Sequence, residues 1–411
     1  MNKIILKSIQ TSGKRVEINY KVEGKIRKFF REETFWMEFQ ENMEDVPEGI
    51  LIIPFLGDVL PLVWVTDSKL VIDKIDKTFY ESIQNIKKGY ENMYPEMKFL
   101  GELEVKNVVD YSYEPQKKSC QFFSGGIDST ATLISRMEEK PDLITMWGAD
   151  ISIDNIKGWS VFQKFIKSCG ERHDLKNIFI KSNYRKIYST HKLNKIYEEV
   201  AKANWWLGFQ HGLALICIGV VYAYKHKIET IYIPASWDYL TPNDKRCSSS
   251  PSIDEAVKFC GRGNVIHEGV KYSREDKVDL IVDYAKKTKE KLKLRVCWEG
   301  DEGNNCNYCH KCLKAIVTFI LAGADPNDYG FNIEKKDLKE RIVNSKIVPT
   351  PGWEILKNKY NLDKKKWEND PDMKWLGTLD IEGQRERNLK RRKNFFIKMY
   401  RKIEKKFKNY M

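Results

Sequence analysis

The sequence predicts an α/β protein with a parallel-sheet domain between a β-rich N-terminal domain and a basic C-terminal helix. The 411 residues are 42% hydrophobic and 31% charged, which is typical of globular chains with a packed core. At about 150 residues per domain, this length suggests two or three domains. Short apolar runs alternate with helical patterns through the middle of the chain, and basic residues are concentrated at its end. We therefore expect domains at residues 1–113, 118–330 and 331–411.

Residues 1–113 are predicted to form a β-rich accessory domain. Residues 15–22 alternate between apolar and polar side chains, as a half-buried strand does. The apolar runs 50–55 and 59–65 flank a Leu-Gly-Asp sequence, which favours two strands joined by a tight turn. Apolar residues then recur every three or four positions over 79–93, which predicts an amphipathic helix. No motif with chemistry is found here, so a structural or partner-binding role is expected.

The middle of the chain alternates predicted strands and helices. Near-continuous apolar strands joined by helices predict a parallel sheet that is covered on both faces. The predicted series is strand 120–123, helix 130–139, strand 143–147, helix 156–168, strand 177–181, two further helices, and strand 230–234.

A glycine-rich loop follows the first strand of this series, where nucleotides bind in open parallel sheets. Its glycines let backbone N–H groups approach a ligand closely, and the next helix would present its positive N-terminus to an anion. A carboxylate beside phosphates needs a cation, so Asp128 predicts Mg²⁺, bound directly or through water. We expect Asp128 and Ser129 to take part in catalysis. The candidate ATP-binding residues of the loop are Ser124, Gly125, Gly126, Ile127, Asp128, Ser129 and Thr130.

A cysteine cluster near the end of this domain predicts a metal site. Four of the nine cysteines are spaced C-x8-C-x2-C-x2-C, and four thiolates can close a tetrahedron around Zn²⁺. Iron–sulfur ligation uses the same residue type, and redox-active or incidental thiols would show the same spacing. The cluster consists of Cys297, Cys306, Cys309 and Cys312.

The loop resembles the SGGxDS PP-loop of N-type ATP pyrophosphatases, and with the cysteine spacing it resembles 7-cyano-7-deazaguanine synthases over about residues 119–321. The resemblance implies an adenine-nucleotide α-hydrolase-like fold in which ATP adenylates a carboxylate, pyrophosphate leaves, and ammonia attacks. It also implies that the loop holds pyrophosphate, that the cysteines hold zinc, and that Trp147 and Gly148 lie beside adenine. Members of this family consist essentially of the catalytic domain, whereas this chain adds an N-terminal domain and a basic tail. In this respect it resembles the enlarged relatives found in antiphage and surface-polysaccharide operons.

We therefore expect an AMP-forming ligase that adenylates an acceptor carboxylate, on a small molecule or a protein, and passes it to ammonia or an amine. The family's acceptor-contacting residues cannot be aligned with residues 236–251, so the acceptor stays open. One alternative is a tRNA-modifying enzyme with the same loop. Another is a nucleotide-binding subunit without catalysis.

Outside the two motifs, several polar residues are weaker candidates for a second-substrate site. Asn204, Gln210 and His211 surround the start of an apolar helix, and Ser236, Asp238 and Asn243 follow the last predicted strand. Cys247 is a candidate reactive thiol. Arg274 or Lys277 could reach a phosphate or a carboxylate.

The net charge of +13 is carried mostly by the tail. Residues 383–411 contain twelve Lys or Arg against two Glu, a surplus of ten. Apolar residues at helical spacing predict a helix over 388–411 with a basic face that could attract a polyanion, whereas its apolar stripe could dock on this protein or on a partner.

No membrane-spanning segment is predicted, because the longest apolar stretch, 212–224, is shorter than the roughly 18 residues that a spanning helix needs. The first ten residues lack the apolar core of a secretory signal, so a cytoplasmic protein with reduced thiols is expected. A homodimer is left open.

Overall fold

A computed structural model describes residues 2–236, 246–297, 304–343, 351–383, 386, 387 and 390. It divides the chain into two compact units, Met1–Lys277 and Val278–Met411. The predicted helix over 388–411 and the candidates Asp238 and Asn243 lie outside the described residues, apart from Lys390.

The first unit is built on one mixed sheet of eleven strands, in the order β10-β11-β9-β6-β7-β8-β3-β2-β1-β4-β5. The strands are β1 (Asn2–Ser12), β2 (Arg15–Glu23), β3 (Thr34–Glu38), β4 (Ser68–Asp76), β5 (Glu102–Val109), β6 (Lys117–Phe122), β7 (Asp142–Trp147), β8 (Asn177–Ser182), β9 (Ile228–Pro234), β10 (Lys258–Phe259) and β11 (Gly263–Glu268). The predicted α/β class is confirmed.

Helices connect these strands and make up most of the described residues of the second unit. They are α1 (Glu48–Leu51), α2 (Ile53–Val65), α3 (Lys77–Met93), α4 (Ile127–Ser135), α5 (Ile156–Arg172), α6 (Thr190–Ala201), α7 (His211–Lys225), α8 (Pro251–Asp254), α9 (Arg274–Thr288), α10 (His310–Leu321), α11 (Leu338–Val343), α12 (Pro351–Leu362) and α13 (Lys364–Glu368).

Five neighbouring strands, β11-β9-β6-β7-β8, are mutually parallel. The chain enters at β6, moves outward through β7 and β8, and then crosses to β9 and β11 on the other side of β6. The strand order therefore reverses between β6 and β9. In open α/β sheets, ligands bind at the carboxyl ends of the strands beside such a reversal.

The N-terminal strands continue the same sheet. β3 pairs antiparallel with β8 through Met37 opposite Ser182 and Glu38 opposite Lys181. One hydrophobic core includes residues from both regions. Strand pairing therefore places residues of the first two predicted domains, 1–113 and 118–330, in one sheet.

The predicted strands 50–55 and 59–65 are wrong, because these residues form α1 and α2. Nearly every residue of α2 is buried, so the run has no polar face to show a helical period. The Leu-Gly-Asp sequence lies inside the helix, where Gly57 allows close approach: a Cβ there would clash with Cys217 of α7. The predicted strand 15–22 and helix 79–93 are confirmed as β2 and α3.

The longest apolar helical stretch begins with a π-helical turn, Trp206–Gln210, and continues as α7. The tyrosine hydroxyls of Tyr94 and Tyr90 donate to the carbonyls of Gly208 and Phe209, both at 2.7 Å. Among the described residues, Trp206–Lys225 is long and apolar enough to cross a membrane by length and composition, but 78% of it is buried inside the protein. Its contacts with α2 and β9 are those of a core helix.

Asp58 is a fully buried carboxyl group in the middle of α2. Its Oδ1 atom accepts a hydrogen bond from Gln210 Nε2 at 2.6 Å. Burial raises the pKa of Asp58 well above its ordinary value, although Gln210 and the charge of Arg185 oppose the shift. The native protein thus holds a proton here that the unfolded chain, with an Asp pKa of about 3.9, releases as the pH rises.

We therefore expect stability to fall as the pH rises from about 4 toward the native pKa of Asp58. Asp58→Asn keeps the oxygen acceptor and cannot ionise, so its melting temperature should decline less between pH 5 and pH 8 than that of the wild type. Thermal unfolding across this range measures the difference, with Asp73→Asn on the exposed side of β4 as the control. An equal decline in the wild type and Asp58→Asn would contradict the buried, protonated state.

Candidate functional site

The glycine-rich loop lies at the carboxyl end of β6, where the strand order reverses. Phe123 precedes the loop and is hydrogen-bonded to β7 through both its backbone N–H and its carbonyl. Its N–H donates to Ile144 O at 2.8 Å, and Thr145 Oγ1 donates to its carbonyl oxygen at 2.7 Å. Gly125 has φ 67°, and a Cβ there would clash with the Phe165 ring. Glycine is therefore required by both the backbone conformation and the space.

The two serines hold the loop in shape. Ser129 Oγ lies 3.3 Å from Gly126 O, from Ser124 N and from Ser124 Oγ. Ser129 is buried and Ser124 is exposed. Ser129, predicted to be catalytic, thus uses its hydroxyl within the loop, whereas Ser124 can face a ligand.

The first turn of α4 begins at the glycine-rich loop. Gly126 caps the nine-residue helix, and no side-chain hydrogen bond caps it within the described part of the chain. Helix N-terminal N–H groups and the helix dipole favour negative charge. Ile127 and Thr130 are buried on the inner side of this turn, so they position the helix rather than contact a ligand by their side chains.

Two basic residues from the start of α9 converge on Asp128. Arg274 Nη2 donates to Asp128 Oδ2 at 2.9 Å, and Lys277 Nζ lies 3.5 Å from Asp128 Oδ1. The same groups donate to the carbonyls of Ser236 (2.9 Å) and Ala235 (2.6 Å), directly after β9. The two strands beside the reversal, β6 and β9, are thereby joined through one carboxylate and two cations.

The contacts of Asp128 bear on the prediction that this residue binds Mg²⁺. Both oxygens of Asp128 already face a cationic side chain, and Lys277 is only 4% exposed. This arrangement does not fit direct coordination of Mg²⁺ by Asp128. The positive charge beside the loop comes instead from Arg274 and Lys277, and their side chains are suited to phosphate oxygens.

Trp147 and Gly148 end the neighbouring strand, β7. The Trp147 ring stacks on Trp159 with centroids 5.0 Å apart, and Lys181 Nζ lies 4.1 Å from the Trp147 centroid. Gly148 has φ 115°, which a residue with a side chain would rarely adopt. Both residues therefore lie on the same edge as the loop, with the Trp147 ring held by its neighbours.

The weaker candidates near α7 are mostly structural. Asn204 accepts a hydrogen bond from Leu207 N–H at 2.9 Å, and Gln210 binds Asp58. Cys247 Sγ lies 3.7 Å from His211 Nδ1, but burial raises the pKa of this thiol to about 12. Cys247 is therefore a thiol at neutral pH, which does not support a reactive nucleophile.

The four predicted metal ligands come together in the second unit. Their sulfur atoms all lie within 4.8 Å of one another, with Cys297 to Cys309 and Cys306 to Cys312 each separated by 3.8 Å. A regular tetrahedron with Zn–S bonds of about 2.3 Å has sulfurs about 3.8 Å apart, so the cluster fits Zn²⁺. Four thiolates fill the tetrahedron and leave no open position, which is typical of a structural site.

The backbone around the cluster is arranged for thiolates. Cys309 N–H donates to Cys306 Sγ at 3.3 Å, and Cys312 N–H donates to Cys309 Sγ at 3.5 Å as α10 begins. Hydrogen bonding from the Cys312 thiol lowers the pKa of Cys309 to about 5. His310, which directly follows Cys309, accepts a hydrogen bond from Trp353 Nε1 at 3.2 Å.

The sequence identified the loop and the metal cluster but missed one residue on the same edge, Arg185. Its signal is weak, because a single arginine after a strand has no distinctive spacing.

Comparison of the chain with protein-family models, with curated proteins and with solved structures gives no match.

Proposed function

We propose that the protein is an AMP-forming ligase that binds ATP at residues 124–130, adenylates an acceptor carboxylate and transfers the acyl group to ammonia or an amine. The observation that carries this proposal is the placement of the glycine-rich loop. It joins β6 to the N-terminus of α4 beside the reversal of strand order, with Arg274 and Lys277 held against its Asp128.

Each part of this arrangement has a role in the proposed reaction. The N–H groups of the loop and of the first turn of α4 would bind the β- and γ-phosphates. Arg274 and Lys277 would stabilise the charge that develops on pyrophosphate as it leaves, since preorganised donors are most effective where charge increases in the transition state. Asp128 would hold both cations in place, and is therefore a positioning residue.

The chemistry balances without a redox step. A carboxylate oxygen of the acceptor attacks the α-phosphorus, the bond between the α-phosphorus and the bridging oxygen breaks, and pyrophosphate leaves. The nitrogen lone pair then attacks the acyl carbon, AMP leaves, and the nitrogen loses a proton. No residue role in these steps is assigned to Mg²⁺, because both Asp128 oxygens face Arg274 and Lys277.

The cysteine cluster would contribute structure to this protein. A bound Zn²⁺ would cross-link the segments that carry its four ligands, Cys297, Cys306, Cys309 and Cys312. Four sulfur ligands leave the metal no position for substrate.

Incubating the full chain with ATP, ammonia and 7-carboxy-7-deazaguanine tests the proposal. We expect release of AMP and pyrophosphate in equal amounts and a product whose mass shows that an amino group has replaced one hydroxyl of the carboxyl group. AMP release without that product would retain the ligase chemistry with a different acceptor. Absence of AMP with every carboxylate tested, despite measurable ATP binding, would instead favour a nucleotide-binding subunit.

A further inference from the structure

Arg185 lies on the same edge of the sheet as the glycine-rich loop, three residues after β8 ends. Its side chain is half-buried and held from two directions. Nη1 donates to the carbonyl of Ala149 at 2.6 Å, and the guanidinium carbon lies 4.5 Å from the Trp206 ring centroid. Two constraints of this kind fix the plane of the guanidinium before any ligand binds.

Arg185 is half-buried and has no carboxylate partner in the described part of the first unit, whereas the other arginines without one, Arg31 and Arg172, are exposed. Arginines whose guanidinium pairs with a carboxylate include Arg15, Arg136, Arg246, Arg262 and Arg274. Within the described ranges, Arg185 forms its one hydrogen bond to Ala149 and no ion pair. A half-buried cation with free N–H donors is costly unless an anion or water completes its hydrogen bonds.

The surroundings of Arg185 are aromatic. The Trp206 ring lies 5.6 Å from the Tyr184 ring and 5.2 Å from the His211 ring, both in edge-to-face arrangements. Two acidic groups are relevant: Asp150, which is exposed, directly follows the Ala149 acceptor, and Asp58 is buried in α2. Neither forms an ion pair with Arg185, so the guanidinium keeps its capacity for an external anion.

Arg185 lies near the glycine-rich loop but at a separate place along the sheet edge. β8 lies two strands from β6, which at about 4.8 Å per strand is roughly 10 Å. Ala149, the acceptor for Arg185, directly follows Gly148 at the end of the strand between them. A ligand group at Arg185 would thus lie beside, and not in, the loop of residues 124–130.

We propose that Arg185 forms a second anion-binding subsite, which takes the carboxylate or phosphate of a planar aromatic ligand. The free side of the guanidinium offers parallel N–H donors that match two oxygens of one oxyanion. The surrounding rings favour a planar ligand. This subsite does not depend on ATP binding at the loop, although it suits an acceptor if the proposed ligase reaction is correct.

Ligand-observed NMR titration of the full chain tests the subsite with three probes: benzoate, phenyl phosphate and the uncharged benzyl alcohol. We expect at least one of the two anions to bind the wild type more tightly than benzyl alcohol does. Arg185→Gln should weaken the binding of that anion at least tenfold. Arg262→Gln, which removes the same charge from an exposed pair with Glu114, should leave it unchanged.

The tighter of the two anions identifies the oxyanion that the subsite prefers. Arg185→Lys retains the positive charge but lacks the parallel N–H donors of the guanidinium, so we expect it to bind the anion at least threefold more weakly. This variant tests the proposal if Arg185→Gln does not fold. Equal binding of all three probes, or unchanged anion binding in a folded Arg185 variant, would overturn the proposal. ATP binding is measured on the same samples. Asp128→Asn should leave benzoate binding intact, so a failure of the loop to bind ATP can be distinguished from a failure of the Arg185 subsite.

Discussion

Asp128→Asn is expected to lower pyrophosphate release from ATP by about 100-fold or more, the size of effect found when one preorganised charge-stabilising group is lost. The carboxylate holds Arg274 at 2.9 Å and Lys277 at 3.5 Å. The amide has nearly the same shape but no charge, so both cations lose the partner that orients them. A coupled assay for pyrophosphate under saturating ATP measures the rate.

Asn is a better replacement than Ala at this position. Lys277 is 4% exposed, so removing the whole carboxyl group would also alter the packing around a buried ammonium. Asp73→Asn, in an exposed pair with Lys106, is the matched control and should retain the wild-type rate. A folded Asp128→Asn protein with the wild-type rate would show that the loop does not carry the proposed reaction.

Replacement of Cys309 by Ser is expected to cause the largest loss of stability. Structural zinc contributes directly to folding free energy, and a hydroxyl is a poor substitute for a thiolate ligand. The variant should lose its zinc and either become insoluble or melt at least about 5 °C lower, a change of roughly 2 kcal/mol in a unit of this size. Elemental analysis and thermal unfolding measure the two effects.

Cys169→Ser provides the control, because Cys169 lies on the buried face of α5 and takes no part in the cluster. This variant should keep about one zinc per chain, as should the wild type. Iron in place of zinc in the wild-type protein would point to an iron–sulfur cluster, since the thiolates alone permit both. Zinc retained at full occupancy in Cys309→Ser would contradict the four-cysteine site.

The parts of the fold that the sequence predicted correctly are those with local signals. The loop at residues 124–130 combines small, hydroxyl and carboxylate residues directly after an apolar strand, and the four cysteines lie within sixteen residues. The local structure of each depends only on short-range geometry. The helix α3 was also recognisable, because one of its faces is polar and the other apolar.

The parts that the sequence missed depend on contacts between distant segments. The sequence offered Arg274 or Lys277 as a residue that could reach a carboxylate, but it could not name Asp128 as that carboxylate, because Asp128 and Lys277 are 149 positions apart. The pairing of β3 with β8 likewise joins segments about 145 residues apart, so the N-terminal strands could not be assigned to the central sheet. The helix α2 was mistaken for strands because burial on all sides removes its helical period.

The burial of α2 also has a consequence for synthesis of the chain on the ribosome. This helix packs against α7, and its Asp58 is bonded to Gln210, so its main partner emerges about 150 residues later. At roughly 5–20 residues per second, the interval is on the order of ten seconds, during which the thirteen mostly apolar residues of α2 lack the cover that α7 provides. The N-terminal region therefore cannot complete its core early, and nascent chains that stall before residue 211 should be substrates for chaperones that bind exposed apolar helices.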